Sequence, residues 1–264
     1  MSDSWRQPRR ILMAALGVLT VFYLLVPTLV IVPMSFTEAR ILSFPPQGFS
    51  LQWYERMFTD RQWSTGMVNS AQVAVLTAIL ATVLGTLASL GLNRGRFPGR
   101  SLLNGLVLTP VIVPVVIIAI GMFSLFVQWR ISGSLVGLVI AHTALALPFV
   151  VVSVSASLQT MDRNLELAAA NLGADPRRTF TRITLPIILP GVLAGAIFAF
   201  VTSWDEVVVA IFLTSARFRT LPVEMWEQVR QVVDPTVAAV ATTVLLVTSV
   251  MLLLLLVVRR QRPA

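Results

Sequence analysis

Two adjacent carboxylates, Asp205 and Glu206, stand in the run VTSWDEVVVA, residues 201–210. They are the acids set deepest in a long apolar stretch of this chain. A carboxylate in hydrocarbon costs about 3 kcal/mol on insertion scales unless it faces a cavity or a partner. Thr202, Ser203 and Trp204 add hydrogen-bonding groups and an aromatic face. Together these residues suit a path that holds a cationic amine, through ion pairing and a cation–π contact. Asp205 is the first candidate for touching a passing solute, followed by Glu206, Ser203 and Trp204. The competing reading is structural. One carboxylate would pair with Arg217, Arg219 or a partner protein, and Trp204 would be packing.

Other chemistry is sparse. His142, the one histidine, lies among Ala, Thr and Leu. It reads as a packed, hydrogen-bonded interior imidazole, with a substrate or gating contact as the alternative. Nothing nearby supplies companion metal ligands. Serine, histidine and acids never meet at a spacing that requires a triad, and no GxxxxGK[ST] loop is present to cradle phosphates. No catalytic residue, metal site or bound cofactor is therefore expected in this chain.

The elements that carry these residues follow from composition. Of 264 residues 56% are hydrophobic and 12% charged, with a mean hydropathy of +0.83. Soluble domains carry about 25% charged residues, so the natural solvent here is lipid. Cysteine is absent, which excludes disulfides and thiolate metal sites. Charge-free stretches cover residues 11–37, 62–93, 101–129, 131–161, 183–204 and 235–258. Each exceeds the roughly 20 residues that a helix needs to cross a hydrocarbon core. They predict an all-α membrane protein with one transmembrane domain over 1–264 and six spans, about 11–34, 67–92, 102–127, 134–156, 186–213 and 235–258. The first stretch is too long for a signal peptide, lacks a clear small-residue cleavage site and is followed by more spans.

Orientation follows from arginine, because lysine is absent. With the N-terminus inside, the inner segments hold thirteen arginines and four acids, and the rest of the chain holds seven arginines and eight acids. This is a positive-inside pattern with both termini cytoplasmic. The net charge of +8 is thereby explained without nucleic acid, for which no contiguous basic domain exists.

Proline marks the third span, where Pro110 and Pro114 predict a bend or local unwinding. On the outer side, LQWYERMF predicts a short interfacial helix anchored by Trp53, Tyr54 and Phe58. MWEQVRQVV predicts a second amphipathic helix. The inner segment 157–185 is different. Asp162 reads as an N-cap, LELAAANL supplies helix formers, and Gly173 ends the helix. Asp175 and Pro176 start another helix at once, and it runs on into the fifth span. Ala168 and Ala169 leave one surface nearly bare, so a second protein could approach the backbone closely, with arginines such as Arg177 at the rim. A capped loop whose arginines merely fix topology is the alternative.

This segment resembles the coupling signature of inner-membrane permease subunits of bacterial ABC importers. The pattern is Glu-Ala-Ala, three residues, Gly, nine residues, Ile, one residue, Leu-Pro. Leu167, Ala168, Ala169, Gly173, Ile183, Leu185 and Pro186 occupy those places. Leu167 stands where the family has Glu, and Glu166 lies one residue earlier, about 100° around the helix. The segments FPPQGFSLQWY, Asn69–Ser70, RGRFPGR, MDRNLELAAANLGA, SWDEVVVAIFL and RTLPVEMW are similar to the second permease of spermidine/putrescine importers.

The resemblance implies a type I importer permease fold with a cytoplasmic coupling helix in the bacterial inner membrane. It also implies ATP-driven uptake of polyamines, with amino-acid-like compounds, iron or thiamine as alternative cargoes. The implied partners are a homologous second permease, two copies of an ATP-binding subunit that hold ATP and magnesium, and a periplasmic solute-binding protein. A proton-coupled secondary transporter, using Asp205, Glu206 and His142 as a relay, is the rival from another class.

Overall fold

The computed structural model describes residues 6–231 and 234–260, and among them the chain is helical with no strand. It forms two compact units. One comprises the described residues up to Arg61 together with Glu227–Leu245; the other comprises Gln62–Trp226 and the described residues from Leu246.

In the first unit a long apolar helix, α1 (Arg6–Met34), leads into an irregular segment and a short helix, α2 (Gln52–Thr59). The aromatic residues of α2 do not all face outward as the sequence predicts. Trp53 is buried and its indole Nε1–H donates to the Thr37 carbonyl at 2.7 Å. Tyr54 shares a 2.7 Å hydrogen bond with Ser35. A large aromatic with one polar atom is well placed inside once that atom finds a partner. Phe58, which has no such handle, stays exposed. Asp234 caps the start of α12 (Thr236–Arg260) by accepting the Thr236 N–H at 2.7 Å, and it pairs with Arg56 at 2.7 Å.

The second unit holds α3 (Arg61–Arg94) from Gln62 onward, α4 (Arg100–Ile112), α5 (Val115–Gln128), α6 (Leu135–Thr160), α7 (Asn164–Asn171), α8 (Pro176–Thr179), α9 (Leu185–Trp204), α10 (Val208–Leu213) and α11 (Leu221–Gln231) as far as Trp226. A single π-helical turn, Phe180–Thr184, joins α8 to α9. Helix α6 is the most buried of the long helices and packs most extensively on α9. Gly191 and Gly195 on α9 explain the fit, and Gly85 on α3 gives α6 the same close approach on that helix. A Cβ at Gly85 would lie 2.6 Å from Val150 Cγ1, and one at Gly195 would lie 3.0 Å from Val150 Cα. Between helices in lipid the apolar driving force is weak, so close backbone approach at small residues supplies the attraction. Val150, Val154 and Ile188 fill one cluster of this core, and Leu138, Val209 and Leu213 fill another.

Among the described residues, five helical runs are long and apolar enough to cross a membrane: Leu12–Met34, Arg61–Arg94, Leu135–Thr160, Pro176–Trp204 and Thr236–Leu256. The expected third span is not one rod. Helices α4 and α5 meet at 106°, and counting that pair as one broken span gives six. Pro114 makes the break. It pushes Val113 into the extended region, at ψ 135, as a residue before proline prefers. Pro110, in contrast, is accommodated within α4. The fifth span also departs from expectation. Its helix stops at Trp204 rather than running to residue 213, and restarts as α10.

Candidate functional site: a helix break and a helix–turn–helix

The break between α9 and α10 sets Asp205 and Glu206 apart. Helix α10 begins with N–H groups that have no intrahelical acceptor. Glu206 supplies one. Its Oε1 accepts the Val209 N–H at 2.9 Å and its Oε2 accepts the Ala210 N–H at 3.0 Å. Glu206 Oε2 also lies 3.7 Å from His142 Nε2. That is close enough for attraction when the imidazole is protonated and too long for a hydrogen bond. The other ring nitrogen, His142 Nδ1, shares a 2.8 Å hydrogen bond with Ser203 Oγ. His142 is therefore the packed, hydrogen-bonded interior histidine that its neighbours predict, and both His142 and Ser203 are buried.

Asp205 is in a different position. It stands at the C-terminal end of α9, exposed, with no ion pair among the described residues. Trp204 is buried and stacks on Phe200, with ring centroids 5.8 Å apart and planes 13° from parallel. Arg219, which the sequence offers as a partner for the acidic pair, lies instead 3.7 Å from Glu224. Glu224 is buried on α11 and accepts from Gln62 Nε2 at 2.6 Å. The arrangement leaves one exposed carboxylate at a helix break and ties the other to backbone N–H groups. Among the described residues no group of three His, Asp or Glu side chains converges as a metal site would.

A polar cleft of about 290 Å³ opens between α3, α4 and α6, lined by Asn93, Arg100, Asn104, Ser155 and Gln159. It contains a guanidinium and no carboxylate, so it does not suit a cation.

The helix–turn–helix forms as its local signals require. Asp162 Oδ1 accepts the Asn164 N–H at 2.9 Å, one residue outside the helix start, since Arg163 takes the cap position itself. Gly173 adopts φ +81, the left-handed turn that ends α7. Asp175 caps α8 by accepting the Arg178 N–H at 2.8 Å, with Pro176 in the first turn. Leu167, Ala168 and Asn171 on α7 are exposed together with Leu172 just after it, which is 89% accessible, while Ala169 is buried. Arg177 and Pro186 are exposed, and Ile183 and Leu185 are half-buried.

Glu166 turns the other way. Its Oε1 accepts from Arg94 Nη2 at 3.0 Å and from Thr184 Oγ1 at 2.8 Å. The bare surface is thus offset from the Ala168–Ala169 pair by the inward rotation of Ala169.

Comparison with known proteins places this architecture. Residues 81–263 match the family described as the inner membrane component of binding-protein-dependent transport systems. The chain belongs to this family. It is therefore a multi-pass component of a transport system that works with a binding protein, and a permease subunit rather than an enzyme. The chain is 33% identical to the spermidine/putrescine transport system permease protein PotC of Haemophilus influenzae, over 83% of this chain and 85% of that protein. It is 32% identical to the putrescine transport system permease protein PotI of Escherichia coli K12, over 89% and 85%. The trehalose transport system permease protein SugB of Mycobacterium tuberculosis is 28% identical over 77% and 76%. In structure, a bacterial ABC transporter that imports alginate superimposes with a TM-score of 0.73, covering 100% of this chain and 99% of that chain at 14% identity. The resemblance read from the sequence and the all-α permease fold both hold.

Sequence reasoning missed several partners. The Ser203–His142 hydrogen bond joins α9 to α6, and the sequence linked His142 with Glu206 only in the relay of the rival reading. Asn69 and Ser70 tie α3 to the segment before α11, Asn69 Nδ2 donating to the Arg219 carbonyl at 2.8 Å and Ser70 Oγ accepting the Leu221 N–H at 2.8 Å. Two polar residues in an apolar span were the available signal for this tie. Nothing local signalled that Glu166 faces Arg94.

Proposed function

We propose that this permease subunit carries polyamines, putrescine and spermidine, into the cytoplasm, and that Asp205 is the carboxylate that meets them. The observation that carries this reading is Asp205 at a break in a membrane helix, exposed and without an ion pair among the described residues. Helices broken at mid-membrane are a recurrent way to present polar groups to a transported solute, and an intramembrane acid without a fixed partner is a functional group by default. The relatives named for spermidine and putrescine support the cargo.

In this reading the spans act as one transmembrane domain with both termini cytoplasmic, in accord with the arginine distribution. The α7–α8 element seats its exposed face, Leu167, Ala168 and Leu172 with Arg177 at the rim, in a groove of a separate ATP-binding subunit. Gly173 and Asp175 hold the turn between the two helices. Two such ATPases, holding ATP and magnesium, close on each other and drive this chain and a homologous second permease between inward-facing and outward-facing states. A periplasmic solute-binding protein delivers the cargo. The mechanical link is the continuous helical run Pro176–Trp204, of 29 residues, which is about 43 Å long at 1.5 Å per residue. It starts in the docking element, passes Ile183, Leu185 and Pro186, and ends next to Asp205.

The test is ATP-dependent uptake of labelled putrescine and spermidine in cells with and without this gene. Uptake that depends on the gene, resists excess unlabelled GABA and arginine, and falls in Asp205→Asn supports the proposal. Unchanged polyamine uptake in cells that express the complete transporter sinks the cargo assignment.

A further inference from the structure

We infer that Glu166 is a positioning residue, an internal strut that makes α7 move as one body with the ends of α3 and α9. This inference rests on the reading of α7–α8 as the docking element. It gives Glu166 a place inside the permease rather than on the docked surface.

Helix α7 has eight residues and one buried side chain, Ala169, so packing alone holds it poorly against the neighbouring helices. Its covalent connections are short turns and not continuous helix: a left-handed Gly173 follows it, and Met161–Arg163 precedes it. A load applied to such a helix would tilt it before moving anything behind it. The Glu166 carboxylate opposes that tilt. One oxygen receives the Arg94 guanidinium from the last residue of α3 and the Thr184 hydroxyl from the root of α9. The Arg94 and Glu166 side chains are only 24% and 22% exposed. The pair is thus screened less by water than a surface ion pair, and charge-assisted hydrogen bonds are the stronger kind.

The location of Thr184 sharpens the case. It closes the single π-helical turn between α8 and α9, and such turns mark functional positions in helices. Thr181, in the same turn, spends its hydroxyl on the Arg177 carbonyl at 2.9 Å, four residues back. Thr184 is buried and spends its hydroxyl on Glu166 instead. Leu167, next along α7, points outward with its side chain exposed. Adjacent positions therefore divide two tasks: 167 meets the partner, and 166 transmits what the partner does.

The chain has no cysteine, so spin labels can be placed on it by substitution, with partner subunits freed of their own reactive cysteines. The complete transporter would carry Gly91→Cys on α3 and Leu165→Cys on α7, an exposed position outside the docking face, and the distance between labels would be measured by pulsed electron resonance without nucleotide and with ATP plus vanadate. One narrow distance, the same in both states, is expected. Glu166→Gln and Thr184→Val should each broaden it at least twofold while the ATP-binding subunit still co-purifies, and stimulation of ATP hydrolysis by the loaded binding protein should fall about tenfold. Thr184→Ser, which keeps the hydroxyl, should restore the narrow distance. Unchanged widths in Glu166→Gln and Thr184→Val overturn the strut. So does loss of the ATP-binding subunit in Glu166→Gln, which would make Glu166 a docking contact. In a parallel transporter without labels, Leu167→Arg tests the docking reading separately. Retention of the ATP-binding subunit there would refute docking by this face, while the label distances still report on the strut.

Discussion

Substituting the two acids at the α9–α10 break one at a time separates a fixed carboxylate from a free one. Glu206→Ala removes the acceptor of two backbone N–H groups, at Val209 and Ala210, whose residues are fully buried. Each buried donor left without an acceptor costs about 1–3 kcal/mol, so the loss should be about 4 kcal/mol. Glu206→Gln keeps one carbonyl oxygen and should lose about half as much. At about 2–4 °C per kcal/mol for a chain of this length, Glu206→Ala should lower the Tm of the purified transporter by about 8–16 °C.

Asp205→Asn has no ion pair to lose and should leave stability within about 0.5 kcal/mol of the parent. Its effect should fall on uptake of a cationic cargo instead, by about tenfold, equivalent to about 1.4 kcal/mol. The assay is thermal unfolding of the detergent-purified complex beside uptake of labelled putrescine. The reasoning fails if Glu206→Ala melts with the parent. It fails equally if Asp205→Asn lowers Tm and spares uptake.

Other expectations test single elements. Gly173→Ala has open space around its Cβ and should still cost about 1–2 kcal/mol, because the left-handed backbone strains any alanine; Gly173→Asn should cost less, and thermal unfolding compares the two. Gly195→Leu drives a side chain into the Val150 backbone and should cost about 1–3 kcal/mol or prevent assembly, read as loss of monodisperse complex in size-exclusion chromatography. Asp234→Ala removes the α12 cap and should cost about 1 kcal/mol, whereas Arg56→Gln, losing only an exposed ion pair, should cost less than about 1 kcal/mol; paired unfolding curves decide between them.

The sequence by itself determined the solvent and the elements. In lipid only helices and closed barrels satisfy their backbone groups, and continuous apolar runs of more than about 20 residues lack the alternation of short barrel strands, so an all-α membrane protein followed from composition. Asp175-Pro176 and Gly173 are signals that act within one turn of chain, and the helix–turn–helix they predict is present. Pro114 announced a bend for the same local reason.

What the sequence left open was decided by contacts between distant residues. Asp205 and Glu206 are equivalent as letters. Only the break after Trp204, with Glu206 satisfying α10 and lying beside His142, makes one fixed and the other free; the Ser203–His142 bond that completes the cluster spans 61 positions. Glu166 stands one residue from the docking signature in sequence, and only the fold brings Arg94 to it across 72 positions. Trp53 turned inward because a carbonyl 16 residues earlier was within reach of its indole. Periodicity and caps are written in neighbouring residues and can be read there. A polar side chain's partner is chosen by which helices pack together, and in this chain the glycines that bring α3 and α9 against α6 make that choice.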